Sequence, residues 1–388
     1  MNPTSEPGGA LPLTLRVLER VAEVPRAAWD ALVGEESSPF VEHTWLDALE
    51  ETGCVGEKTG WIPAHLTLWR GPTLVAAAPA YFKGHSEGEF VFDWNWAEFA
   101  ARNGLAYYPK LVVAVPFTPA TGDRVLVLPG EDRRAATGMI ADAARRASER
   151  AGASGVHVLF PREEEACAWQ ESGYLQREGF QFQWFRAQMT CFDDYLARFS
   201  SKHRNQIKRE LRGVHEAGIR VETLSAEAHT REMAHAMFAF YETTIEKHGV
   251  WGRLYLNRRF FEVVVESFRD RLAWVVARDQ ASGAVVGGAF NVTRGRRLYG
   301  RYWGARVDVP FLHFVACYYE GVRYCIERGL DVFEPGAGGE HKRARGFVPT
   351  LTRSTHWLAD ARLRSALAPW LERERARVRS IVAAGQEA

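Results

Sequence analysis

Residues 331–349 read DVFEPGAGGEHKRARGFVP and set titratable and cationic side chains directly behind a glycine turn. Glycine adopts positive φ without steric cost, so Gly336, Gly338 and Gly339 let the chain reverse and let a ligand approach the backbone. Glu340 and His341 follow at once and are the first candidates for a base that takes up a proton. Lys342, Arg343 and Arg345 add cations where successive backbone N–H groups can form an anion nest. The bland alternative is that Glu340 caps the first turn of a following helix and His341 is solvated.

The turn needs a strand to present it, and 331–334 reads as a buried strand end. Supporting elements come in two similar runs. In the first, 13–18 alternates like an edge strand, Pro25 opens a helix, and 41–51 is a helix behind Ser37, Ser38 and Pro39. Residues 65–70 and 73–83 are two strands joined at Gly71 and Pro72, and 90–96 reads as a third. An amphipathic helix over 131–150, ended by Gly152, precedes a strand over 156–160. A long strand over 180–189 crosses to the second run: helices at 201–217, 228–247 and 257–269, then strands at 272–278, 284–293 and 297–305. Pro310 opens a helix to 328, and Pro369 starts a terminal helix to about residue 384. Residues 65–81 parallel 273–290, and 156–161 parallel 332–335, so one unit looks used twice. The pairs Tyr107-Tyr108 and Tyr318-Tyr319 fall in comparable places.

With 388 residues, 46% hydrophobic and 25% charged, the chain is long enough for two cores of roughly 190 residues each. A net charge of +1 excludes binding of nucleic acid or membrane by bulk charge, so any such partner must meet a local patch. Cys54, Cys167, Cys191, Cys317 and Cys325 have no CxxC spacing, which points to a reducing compartment and no metal. The N-terminus lacks a basic leader, and no window reaches the roughly 20 apolar residues of a membrane span. A cytoplasmic protein is expected. Its 13 Trp, 22 Phe and 12 Tyr cluster among polar residues, as at 90–96, 181–185 and 299–304, where they line an acyl or sugar channel or fill a large core.

Several stretches carry a family likeness: SPFVEHTW (38–45), GEFVFDW (88–94), YYPKL (107–111) with VPFTP (115–119), SSK (200–202) with IKR (207–209), YGRYWG (299–304), FLHF (311–314) and GAGGEHK (336–342). On these the chain resembles the FemAB-like N-acyltransferases of peptidoglycan biosynthesis or recognition. The resemblance implies an α/β (α+β) fold of two tandem GNAT-like domains, 1–185 and 186–388, with mixed central sheets flanked by helices. It implies amide formation between an activated acyl group and a primary amine, with acyl-CoA as co-substrate and no permanently bound cofactor. A long-chain sphingoid-type amine is one acceptor, as in ceramide synthase-like members. The alternatives are FemAB-type transfer from aminoacyl-tRNA to a peptidoglycan precursor, the one case involving nucleic acid, and a non-catalytic recognition module. One departure stands out: the Q/R-x-x-G-x-G/A loop with which GNAT enzymes hold the CoA pyrophosphate is not found.

Such a reaction needs a group or water chain to take the amine proton and donors for the tetrahedral oxyanion. Beside Glu340 and His341, Asp93 or His85 could orient the amine or the base, with Tyr81 and Trp94 as neighbouring contacts; GHSEG (84–88) also reads as a surface turn. Tyr108 and Lys110 lie in a proline-rich loop where Lys110 could hold a donor phosphate. Arg301 and Trp303 share one face of an alternating strand, as a phosphate contact or a cation–π pair. His313 is a substrate contact or a core histidine, Tyr319 could give a proton to a leaving thiolate, and Lys342 and Arg345 could hold an anion. Lys202, Arg204, Lys208 and Arg209 make the helix from residue 201 basic over a stripe of Ile207, Leu211 and Val214. That face could meet an anionic membrane, CoA or tRNA, or stand solvated and paired with Glu210 and Glu216.

Overall fold

The computed structural model describes residues 11–248 and 253–386. The first half contributes strands β1 (Leu13–Leu18), β2 (Trp61–Pro63), β3 (His65–Arg70), β4 (Thr73–Ala78), β5 (Ala80–Lys83), β6 (Lys110–Val113), β7 (Leu126–Val127), β8 (Gly155–Leu159) and β9 (Leu175–Phe185). Its helices are α1 (Arg26–Asp30), α2 (His43–Glu51), α3 (Trp94–Arg102), α4 (Arg133–Arg150) and α5 (Glu163–Glu171). The second half has α6 (Phe192–Ala197), α7 (Ser201–Glu216), α8 (Arg231–His248) and α9 (Arg258–Ser267), with β10 (Ile219–Thr223), β11 (Val275–Asp279), β12 (Val285–Arg294) and β13 (Arg297–Ala305). Then α10 (Leu312–Phe314) continues through a π-turn (Val315–Tyr319) into α11 (Glu320–Arg328), followed by β14 (Val332–Glu334), β15 (Val348–Leu358) and α12 (Ala361–Gln386).

Eleven strands form one mixed sheet in the order β10-β11-β12-β13-β14-β9-β15-β8-β6-β5-β2, and β1-β3-β4-β7 form a second. The large sheet is symmetric about its centre. Parallel pairing joins β13 to β14 on one side and β6 to β8 on the other. Between them, β9 and β15 run antiparallel from Val348 opposite Gln183 to His356 opposite Leu175. Each has crossed over: β9, from the first half, pairs with β14, and β15, from the second, pairs with β8. The fold is thus two α/β halves in tandem, and a cut after Phe185 would separate strands that complete each other's sheets. Of the repeat read from the sequence, β8 and β14 hold equivalent places, whereas hairpin β3–β4 lies in the second sheet and β11–β12 in the large one. Tyr107-Tyr108 precede β6 whereas Tyr318-Tyr319 lie in the π-turn, so the aromatic pairs are not equivalent.

The halves also share a core. Trp45 of α2 packs its ring 5.1 Å from Phe260 of α9, and Phe40 lies 5.2 Å from Tyr299 of β13.

Four expectations need correction. The strand over 73–83 breaks at Pro79, which has no N–H for a ladder, and its two pieces enter different sheets. Residues 90–96 alternate like a strand, but Asp93 turns inward and its carbonyl accepts from Trp96 N and Ala97 N, which starts α3. The crossing strand is 175–185 rather than 180–189, and Ala187 at φ 48° turns the chain away. Pro369 lies inside α12, whose Leu363, Leu367 and Leu371 bury against Trp96 and Tyr107, so packing outweighs the lost hydrogen bond.

Candidate active site

A cavity of about 1120 Å³ opens between the segment after β5, strand β13 and the turn after β14. Its origin is the parallel pair. Only Arg297–Tyr299 of β13 pair with β14; beyond them β13 continues beside β12 while the other chain leaves through Pro335. Gly336, Gly338 and Gly339 have φ of 90°, 69° and 88°, a region other residues enter only under strain, so the glycine turn is the splay itself. On the opposite wall Phe290 pairs with Tyr302 and Asn291 with Gly300, leaving Arg301 as the extra residue of a β-bulge. Strict alternation is lost there, and Arg301, Tyr302 and Trp303 all line the cavity. The Arg301 guanidinium donates to the carbonyl of Phe117, its Nε is buried without a hydrogen-bond partner among the described residues, and burial lowers its pKa.

The turn is fixed from below. Lys342 is buried and donates from Nζ to the carbonyls of Gly336 (2.6 Å) and Ala337 (3.3 Å); burial pulls its pKa down to about 8. Arg345 stands 3.4 Å over the Phe314 ring, donates to His341 O (2.8 Å) and forks onto Glu210 at 3.0 Å to each oxygen. The Tyr319 hydroxyl donates to the same Glu210 (2.5 Å). Lys342, Arg345 and Tyr319 therefore support the wall rather than line it. Tyr318, one residue back in the π-turn, pairs its hydroxyl with His341 Nε2 at 2.8 Å. His341 is exposed, and its ring is 5.8 Å from that of His313, which does line the cavity. Burial, with the charges of Lys342 and Arg345 and the nearby His341, lowers His313 to about 4, so its imidazole is neutral at pH 7.

The facing wall, residues 84–94, hangs on two buried lysines. Lys110 Nζ reaches Asp93 (2.5 Å), Ser86 Oγ (2.8 Å) and Glu89 (2.9 Å), while Lys83 Nζ reaches Glu87 O (2.6 Å) and lies 3.6 Å over the Trp61 ring. Inward-facing Glu89 and Asp93 thus leave Glu87, Phe90, Phe92 and Trp94 to line the cavity, where Ser86 also borders it. Burial by itself would raise the Asp93 carboxyl, but the Lys110 charge outweighs it and holds the group well below the usual range. Burial lowers Lys83 to about 7 against the pull of Glu89. A smaller cavity of about 330 Å³, between β9, β15 and α12, meets the large one at Phe90, Phe92 and Ala337 and is bordered by Glu340.

The FemAB-like family model, described as peptidoglycan biosynthesis/recognition, matches residues 20–388. The chain belongs to the FemAB-like family. No curated protein sequence matches it. Among solved structures it is similar to FemX, with a TM-score of 0.54 at 12% identity over 89% of this chain and 98% of that one. It is also similar to the C-terminal domain of a putative lysylphosphatidylglycerol synthetase from Agrobacterium fabrum (TM-score 0.55, 10% identity, 89% and 95% covered). A conserved protein of unknown function from Bacteroides thetaiotaomicron gives a TM-score of 0.53 at 9% identity, with 89% and 100% covered. At such identities these likenesses show the fold. Family and fold together support an acyl or aminoacyl transferase.

In this FemAB-like chain Arg301, Trp303, His313 and Trp94 come together on one cavity, with Glu340 on its neighbour. Asp93 and Lys110 meet beneath the wall, and Tyr108 joins them through Ser86 Oγ (2.8 Å). His85 faces a third cavity, its Nε2 3.0 Å from Thr59 O, and Tyr81 is buried between Trp61 and His65, off the cavity wall. Lys202, Lys208 and Arg209 are exposed on α7, and Arg204 donates to Phe199 O (3.2 Å). None of the four has an ion pair among the described residues, because Glu210 turns inward to Arg345. Sequence reasoning missed His157 and His356, a fully buried pair on β8 and β15 with Nδ1 atoms 2.8 Å apart; His356 Nε2 meets Ser354 Oγ at 2.8 Å. A histidine inside the apolar run VHVLF was the available signal. No group that could hold a metal is found, and no helix is long and apolar enough to cross a membrane, among the described residues.

Proposed function

We propose that this chain joins an activated acyl group, carried by CoA, to a primary amine, with no resident cofactor. The observation that carries this is the aromatic cavity at the β13–β14 splay, with neutral His313 and half-buried Arg301 on its wall. In the reaction the amine lone pair forms the C–N bond and the thioester C–S bond breaks with its electrons on sulfur. The ammonium proton passes to His313 and then to the thiolate. Phe92 (69% exposed) and Trp94 (49%) at the rim favour a lipid-like substrate, such as a sphingoid-type amine or a long acyl chain. The unpaired face of α7 would then rest on anionic lipid, at the inner face of a membrane.

The test incubates purified protein with palmitoyl-CoA and sphinganine and looks for N-palmitoyl product by mass spectrometry. Product that disappears in His313→Gln supports the proposal. Absence of product with acyl-CoA, beside transfer from charged tRNA, would replace it with aminoacyl transfer. Inactivity with both donors would favour a recognition module.

A further inference from the structure

The two cavities that meet at Phe90, Phe92 and Ala337 differ in the charge they leave over. Around the smaller one, Arg177 pairs with Glu374 (2.9 Å), Glu178 with Arg379 (2.7 Å) and Arg353 with Glu163 (2.8 Å). Glu340, the remaining charged lining residue, has no ion pair among the described residues and is exposed to the cavity. Around the larger one, Glu87 and Arg253 satisfy each other across the cleft. Arg301 has no ion pair among the described residues; it donates to the Phe117 carbonyl and lies over the Phe40 and Tyr302 rings. One carboxylate is therefore in surplus on one side of the glycine turn and one guanidinium on the other.

A half-buried guanidinium without a counter-ion is costly and an anionic ligand relieves that cost, while exposed Glu340 offers an incoming cation a free carboxylate at the edge of the smaller cavity. The substrates of an amide-forming transfer differ in this respect, since a primary amine arrives as a cation and an activated acyl group arrives on an anionic carrier. Volume divides them the same way: about 1120 Å³ walled by aromatics suits a long acyl chain, and about 330 Å³ suits an amine head. The turn between the cavities exposes little more than Ala337 and glycine backbone, so two ligands could touch across it.

We infer that the smaller cavity is the acceptor site, with Glu340 as the counter-ion of the incoming ammonium, and that the larger cavity beside Arg301 takes the acyl donor. This rests on the amide-forming reading above. Glu340 is a positioning residue here: it concentrates the protonated amine at the turn, the ammonium gives up one proton to solvent before attack, and the second, shed as the C–N bond forms, passes through His313 to the thiolate.

Calorimetric titration of the full chain with dodecylamine, dodecanol and palmitoyl-CoA tests the assignment. Wild type should bind the amine at least tenfold more tightly than the alcohol. Glu340→Gln should lose that margin, Glu340→Lys should lose amine binding altogether, and palmitoyl-CoA affinity should be unchanged in both. If wild type binds the amine and both variants bind it equally well, the assignment is wrong while the acyltransferase reading stands. If both variants lose palmitoyl-CoA instead, the two sites are reversed. If wild type binds neither amine nor acyl-CoA, the reaction class falls, and the assignment with it.

Discussion

Lys110 and Asp93 form a fully buried ion pair, Nζ to Oδ2 at 2.5 Å, that ties strand β6 to the first turn of α3. Asp93 also accepts from the Tyr107 hydroxyl (2.6 Å), and Lys110 also holds Glu89 and Ser86. All the acceptors of this one ammonium lie in residues 86–93, whose other side chains line the cavity.

Breaking the pair should be far worse than deleting it. Lys110→Met leaves the Asp93 carboxylate buried without its cation, while Glu89 keeps Lys83 at 3.4 Å, and should cost about 3–5 kcal/mol. Lys110→Met with Asp93→Leu should cost clearly less than the single change, since it removes the stranded charge as well. Urea unfolding of both variants measures this, and equal or additive losses would mean that the pair is solvated in solution.

Alkaline pH should stabilise the fold through two lysines. Burial holds Lys83 at about 7 and Lys342 at about 8, whereas an unfolded lysine keeps its proton to about 10.4. Between those values the unfolded chain binds more protons, so stability rises with pH and is lost as pH falls back toward 7. The melting point of wild type should therefore gain on that of Lys83→Met between pH 7 and about 10. A constant gap across that range would show that Lys83 is not desolvated.

His313→Gln should lower turnover by roughly 10²-fold or more, the scale of a lost general base, and leave the melting point unchanged. Tyr318→Phe removes only the hydroxyl that meets His341, at 2.8 Å, and should cost less. A larger loss in Tyr318→Phe than in His313→Gln would shift the proton path to His341.

Neutralising Lys202, Lys208 and Arg209 together should weaken sedimentation with phosphatidylglycerol vesicles and flatten its dependence on salt, with no change in folding, because these side chains have no ion pairs among the described residues. Vesicle binding unaffected by the triple change would place any membrane contact elsewhere.

Local rules carried much of the fold in plain sight. Positive φ at Gly336, Gly338 and Gly339 is what glycine supplies, and Asp132 accepts from Arg134 N and Ala135 N at the start of α4, as a capping aspartate should. Hairpin β3–β4 and strands β11 to β13 sit within a few residues of where their apolar patterns put them. GAGGEHK pointed to the turn that separates the two cavities.

Other features depended on partners that local sequence does not encode. An alternating strand declares its two faces but not its neighbour, so nothing in 175–185 or 348–358 announces that each lies beside the other half's strands. A lysine reads as surface until a fold surrounds it with carboxylates, which is why Lys110 looked like a ligand contact and proves to be an anchor. Arg301 reached the cavity together with Tyr302 and Trp303 because a bulge broke the alternation. Composition, turn chemistry and periodicity determined most of the elements, and the quoted motifs carried the family likeness. Pairing across the centre of the sheet and the burial of Lys83, Lys342 and His313 were decided by tertiary structure, since burial depends on what the rest of the chain packs around a residue.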